Sequence, residues 1–462
     1  MSVKIDESVV ELQTDADVNG KKGGDGDLGD TMSIGSTGSD TYEEKLIHGS
    51  GMLGTTMNMT NTIIGSGILS LPFSTSQVGW VLAAVLMFFG ATFTWFGLHL
   101  LSAVADSVGG RQTSFGGSAN VTYPWLVLVA DLLVFFTMWA VCVVYMTIAA
   151  GLLPDVIRQF IDEDSESSPV YLEFWFWLLL CWLLAGSLSM LKSLWFLAYT
   201  SLVAVGCVFW TTFVVFAYSV GIFDPCDGIA EPCKGNTEAF IWDFQAIMRA
   251  FPVFVLAFCC GPVMFNIYNA MAEQSAKRMD IAAMATMMLT TSLYLIISFC
   301  GYFTYGNLVN SNILMSYPIS VVASLARLGT AFVVTVSYPL LMHAARDSLI
   351  HAIGTCMGYA GKKEQGFEFT DTNTKLGNIG FYCTATALNL LAFLFAYFNI
   401  DINILLSITG AIGNVNLSFT IPGILYYKMF EENGWSMTRT LCVPFTIFGL
   451  VTTGISLWAN FA

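Results

Sequence analysis

From Leu46 to Ala105 the chain contains no Lys, Arg, Asp or Glu. About 20 apolar residues suffice to cross a bilayer, so this run is too long for one membrane span. Gln77-Val78-Gly79 divides it in two. The rest of the chain reads the same way. Charged residues make up 11% and hydrophobic residues 55%, with a mean hydropathy of +0.67. Soluble domains carry about 25% charged residues. A chain of 462 residues with so little charge cannot clothe a water-facing surface, and the solvent it is built for is lipid.

Eleven spans are expected, at about 52–74, 80–104, 124–152, 172–191, 194–222, 244–270, 281–304, 318–342, 376–398, 403–427 and 440–460. With the N-terminus placed in the cytosol and sides alternating, 14 of the 18 basic residues fall on the cytosolic side. That bias agrees with the positive-inside rule, and a missed span would scramble it. Residues 1–45 hold 11 acids and four lysines with almost no aromatics, and are expected to stay a disordered cytosolic tail. Residues 46–462 form the transmembrane domain. No signal peptide is visible at the start of the chain.

The formal net charge of −15 and the lack of a basic patch exclude nucleic acid as a partner. An intramembrane enzyme is disfavoured. Four His are present, and there is no HExxH, no GxGD within a span and no Ser–His pair at matching depth. Neither a selectivity filter nor a ring of charges suggests a channel. Most of the 11 Cys lie in apolar runs, where they pack as small hydrophobes. Cys226 and Cys233 stand in a polar loop that the orientation puts outside; they form either a local disulfide or two free thiols.

The informative segments break helix rules inside the membrane. Span 1 reads Asn61-Thr62-Ile63-Ile64-Gly65-Ser66-Gly67. Unwound backbone at that depth is tolerated only beside a protein or water cavity. Span 6 carries Gly261-Pro262 within its inner half, and Pro removes a helical hydrogen bond. Either feature alone has a plain packing explanation. Together they occupy corresponding positions if spans 1–5 and 6–10 are two halves of inverted topology, the arrangement that marks a midplane binding site in transporters. Span 8 adds hydroxyls at Thr335 and Ser337, which either meet a cation or bond their own helix. Asp131, Arg249 and Arg327 are charges placed inside spans. Such groups are functional candidates by default.

The run from Asn61 to Pro72 resembles the first-helix motif of the amino acid/auxin permease family, closest to its sodium-coupled neutral amino acid transporters and vacuolar amino acid transporters. Segments 252–268, 301–306, 335–347 and 421–427 continue the resemblance in order. It implies an all-α membrane protein of eleven helices, a five-plus-five inverted repeat with helices 1 and 6 discontinuous, and alternating access. Amino acid substrate would be met by Thr62, Ile64, Gly65, Ser66, Gly67, Phe258, Cys260 and Gly261. In sodium-coupled members the ion would be held at Asn61, Ile64, Thr335 and Ser337; other branches are proton-driven. No cofactor beyond the coupling ion is implied. The Cys226–Cys233 loop resembles the family's disulfide-bearing outer loop. Two positions depart from many relatives: Gly261 stands where a His precedes the Pro, and Ala270 where a Glu follows the Ile-Tyr pair. The competing expectation is a sensor on the same fold that binds an amino acid without moving it. The membrane would be the plasma membrane or a vacuolar or endolysosomal one.

Overall fold

A computed structural model describes residues 50–65, 67–109, 114–160, 170–191, 197–228, 232–357, 375–432 and 434–462. The tail expected at 1–45 and Ser66 lie outside the described residues. Sixteen α-helices and no strand occur among those described. They are α1 (Met52–Ile63), α2 (Gly67–Val78), α3 (Trp80–Val108), α4 (Phe115–Thr122), α5 (Pro124–Arg158), α6 (Phe174–Ser189), α7 (Leu197–Ser219) and α8 (Phe244–Ala257). After these come α9 (Gly261–Asn269), α10 (Ala276–Tyr305), α11 (Ile313–Ser316), α12 (Val321–Cys356), α13 (Lys375–Tyr397), α14 (Ile402–Thr409), α15 (Ile421–Met429) and α16 (Met437–Phe461).

Among the described residues, eight helices or consecutive helix pairs are long and apolar enough to cross a membrane; α6 and α7 are shorter apolar helices. Several helices overrun the expected spans. α12 has 36 residues, about 54 Å at 1.5 Å per residue, so its last turns project well past a hydrocarbon layer about 30 Å thick. Two short helices were not foreseen. In α4 the Ser114 hydroxyl caps the start by accepting from Gly117 N at 3.0 Å, and in α11 Asn312 accepts from Leu314 N at 3.1 Å. Both caps satisfy an amide left open at a helix start.

The long helices α5 and α12 pack along each other, and α3 runs beside α10. Between α14 and α15 the chain runs through two π-helical segments, Gly410–Asn414 and Asn416–Thr420. Glycines let backbones close in there. A Cβ on Gly410 would come 2.3 Å from Pro252 O, and one on Gly97 would come 1.9 Å from Ser418 O. The polar loop that starts at Asp224 clamps neighbouring helix ends: Trp80 N donates to Glu238 O and Ile241 N to Val78 O. Within it the sulfurs of Cys226 and Cys233 are joined, with Cα atoms 5.7 Å apart.

Candidate functional site

Both suspected breaks are interruptions of the helix. α1 stops at Ile63 and α2 starts at Gly67; α8 stops at Ala257 and α9 starts at Gly261. Each break leaves a carbonyl-rich end and an amide-rich end in the interior. The two breaks pack on each other, since a Cβ at Gly67 would lie 3.0 Å from Ala257 Cα. The freed carbonyls of α8 are taken up by side chains: Asn414 Nδ2 donates to Val255 O at 2.7 Å, and the Tyr294 hydroxyl lies 2.8 Å from Ala257 O.

A cavity of about 60 Å³ opens between the breaks. Thr62, Gly65 and Gly67 line it from the first, Cys259 and Pro262 from the second. Tyr145 and Met138 of α5, Leu341 of α12 and Leu406 of α14 complete it. The Tyr145 hydroxyl lies against Gly65, 2.8 Å from where a Cβ would stand. A smaller gap of about 30 Å³ lies beyond Ile64 and Gly65, against Cys207 and Thr211 of α7 and Thr330 and Val334 of α12. Among the described residues no charged side chain lines either space. The local field therefore comes from helix ends. The starts of α2 and α9 offer positive ends to an anion, and the ends of α1 and α8 offer negative ends to a cation.

The expected substrate residues divide in two. Thr62, Gly65 and Gly67 face the larger cavity, while Ile64 faces the smaller gap along with Gly65. Phe258, Cys260 and Gly261 do not line either space. The Phe258 ring packs 5.2 Å from that of Tyr294, Cys260 is fully buried, and Gly261 rests against Leu417 O. The neighbours Cys259 and Pro262 take their place. The four expected ion ligands are not gathered. Asn61 is exposed on α1, whose packing partners are α9 and α10. Thr335 donates to Ala331 O of its own helix at 2.7 Å, and Ser337 is half-buried. Of the two expected ligands on the first break, Ile64 approaches α12, the helix that carries Thr335 and Ser337, at Thr330 and Val334.

The two helices flanking the first break differ in their surroundings. In α2 all but three of the residues from Gly67 to Val78 are buried. In α1 a polar edge of Asn58, Asn61 and Thr62 is exposed, and Thr62 is continuous with the cavity. Lipid does not solvate amides, so this edge faces water or protein.

The intramembrane charges are all engaged. Asp131 Oδ2 meets His351 Nδ1, and Arg249 Nε donates to Ala459 O. Arg327, 1% exposed, donates to the carbonyls of Leu314, Tyr317 and Pro318, with Asp155 3.9 Å away. Motif reading missed Tyr145, Tyr294 and Thr211, because no motif around them distinguishes them from the other polar side chains of apolar helices.

The profile described as "Transmembrane amino acid transporter protein" matches residues 48–461. The chain belongs to this family. Among similar proteins are "Vacuolar amino acid transporter 5" of Schizosaccharomyces pombe, 26% identical over 89% of this chain and 94% of the relative, and "Vacuolar amino acid transporter 6" of Saccharomyces cerevisiae, 24% identical over 87% and 94%. "Sodium-coupled neutral amino acid symporter 2" of Danio rerio is 24% identical over 90% of this chain and 84% of its own length. The resemblance in the motifs at 61–72 and 252–268 is thus a family relationship. As a member of this transporter family the chain is a multi-pass membrane protein, and family membership weighs against an enzyme.

Proposed function

We propose that the protein is a secondary transporter of neutral amino acids, driven by a sodium or proton gradient and working by alternating access. The observation that carries the reading is the meeting of two interrupted helices at one cavity that no described charged side chain enters. A substrate carboxylate would sit at the amide-rich starts of α2 and α9 beside the Tyr145 hydroxyl, and the ammonium would turn to the carbonyl ends of α1 and α8. Met138, Val141, Leu341 and Leu406 would meet the side chain, so an uncharged side chain is favoured.

Eleven spans follow if α1 with α2, and α6 and α7, join the eight longer ones. The two interruptions then stand in spans 1 and 6, as an inverted five-plus-five repeat requires. With the N-terminus cytosolic, the exposed edge of α1 opens the cavity inward while α2 closes it outward. A sodium ion, as co-substrate, would be held by Asn61, the Ile64 carbonyl, Thr335 and Ser337 once α1 moves onto α12. In a proton-driven cycle these positions would bind no metal. The Cys226–Cys233 disulfide would form in an oxidising outer compartment, at the plasma membrane or on the luminal side of a vacuolar or endolysosomal membrane.

The test is uptake of labelled amino acids into proteoliposomes with a sodium or a proton gradient imposed. Gradient-dependent accumulation is expected. Binding without flux would replace this reading with that of a sensor, and the absence of both would remove the amino acid as ligand.

A further inference from the structure

Tyr294 is fully buried in α10, 11 residues before the helix ends at Tyr305. Its hydroxyl oxygen stands 2.9 Å from Ile63 O and 2.8 Å from Ala257 O. These are the last residues of α1 and α8, the carbonyl-rich sides of the two breaks. One side chain from a third helix thus meets both interruptions. The Phe258 ring, 5.2 Å away, packs beside the phenol.

A phenol carries one proton. Both carbonyls are placed to accept it, and only one can hold it fully at a time. Each carbonyl lies in the interior, where an unsatisfied acceptor is costly, and each carries the partial negative charge of a helix end. The shared proton therefore holds the two ends together. If they part, the hydroxyl stays with one and the other must find water or another donor.

We propose that Tyr294 is a positioning residue that ties the two broken helices to each other and sets how readily they separate during transport. The inference rests on the transport reading above and adds to it the residue that couples the breaks. In that reading α1 is the inner half of span 1 and α8 the outer half of span 6. Movement of α1 during inward opening then works directly against this tie. The hydroxyl lines neither cavity, so its removal takes away no direct ligand contact and acts first on how the two ends are held together.

The experiment is Tyr294→Phe in full-length protein reconstituted in proteoliposomes, with alanine and leucine as labelled probes. Net uptake, exchange against internal substrate and thermal unfolding are measured on the same preparation. The expected result is at least a tenfold change in turnover per folded molecule, a KM within about threefold of the unaltered protein, and a changed ratio of exchange to net uptake. A role confined to fold stability would lower the unfolding temperature and leave that ratio unmoved, which overturns the proposal. If Tyr294→Phe does not fold, 3-fluorotyrosine at position 294 keeps ring and hydroxyl but strengthens the donor. A twofold or larger change in turnover is then expected, and none overturns the proposal. Flux by the unaltered protein is the internal control. Its absence sinks the transport reading and this inference with it, whereas normal flux with unchanged variants sinks this inference alone.

Discussion

Replacing Gly67 by alanine should damage transport more than the same change at Gly65, and the contacts give the reason. An alanine methyl at 67 would lie 3.0 Å from Ala257 Cα and 3.3 Å from its Cβ. Carbon atoms prefer about 3.5–4.0 Å. The obstacle is the backbone of the other break, which cannot rotate away, so the two interruptions must separate by several tenths of an ångström. Overpacking of this kind costs about 1–3 kcal/mol. If that cost falls on one conformation of the cycle, it shifts the equilibrium by about 5- to 150-fold. At Gly65 the methyl would clash with the Tyr145 hydroxyl at 2.8 Å, while Ile63 O at 3.9 Å and Tyr145 Cζ at 4.0 Å are ordinary contacts. A side-chain tip can yield, and Tyr145→Phe removes the clashing atom. The assay is initial uptake rate and thermal unfolding for Gly65→Ala, Gly67→Ala, Tyr145→Phe and both double variants. Tyr145→Phe should restore at least half of the stability lost by Gly65→Ala, a non-additive pair, and none of that lost by Gly67→Ala. Wild-type uptake and stability for Gly67→Ala would refute the packing argument. Equal rescue of both glycine variants would refute the assignment of separate obstacles.

Three further outcomes are expected. Deleting residues 1–45 should leave turnover intact, but deletion through Gly51 should impair it, because Ser50 N donates to Ala270 O and Ser50 O accepts from Ala272 N, beside the end of α9; equal uptake by both truncations would contradict this. Arg327→Met should cost about 3–5 kcal/mol, since it removes the donor of three buried carbonyls, each costing about 1–3 kcal/mol when left unpaired, while Asp155 keeps its ion pair with Arg158; a thermal shift of under a degree or two would show that the guanidinium contributes little. Alkylation of the unfolded protein should modify nine cysteines before reduction and 11 after it, whereas 11 in both cases would mean that Cys226 and Cys233 are free thiols.

Much of the architecture was legible in the sequence because it follows from local chemistry. Leu46–Ala105 had to enter lipid, since no charge interrupts it. The helix had to fail near Gly65–Gly67 and near Gly261-Pro262, since these residues weaken or remove backbone bonds wherever they stand. What the sequence could not decide was which side chains turn inward. In a soluble helix one face is polar and the other apolar, so periodicity reports orientation. In lipid both faces are apolar, and that signal fades. Cys259 reaches the cavity and Cys260 does not, though both read as small hydrophobes. Thr335 bonds its own helix, while Thr211 and Thr330 of separate helices meet at 3.3 Å. The position of Tyr294 beneath both breaks depends on how α10 crosses α1 and α8. That crossing is set by packing between segments more than 200 residues apart in one case and 37 in the other, and only the tertiary structure settles it.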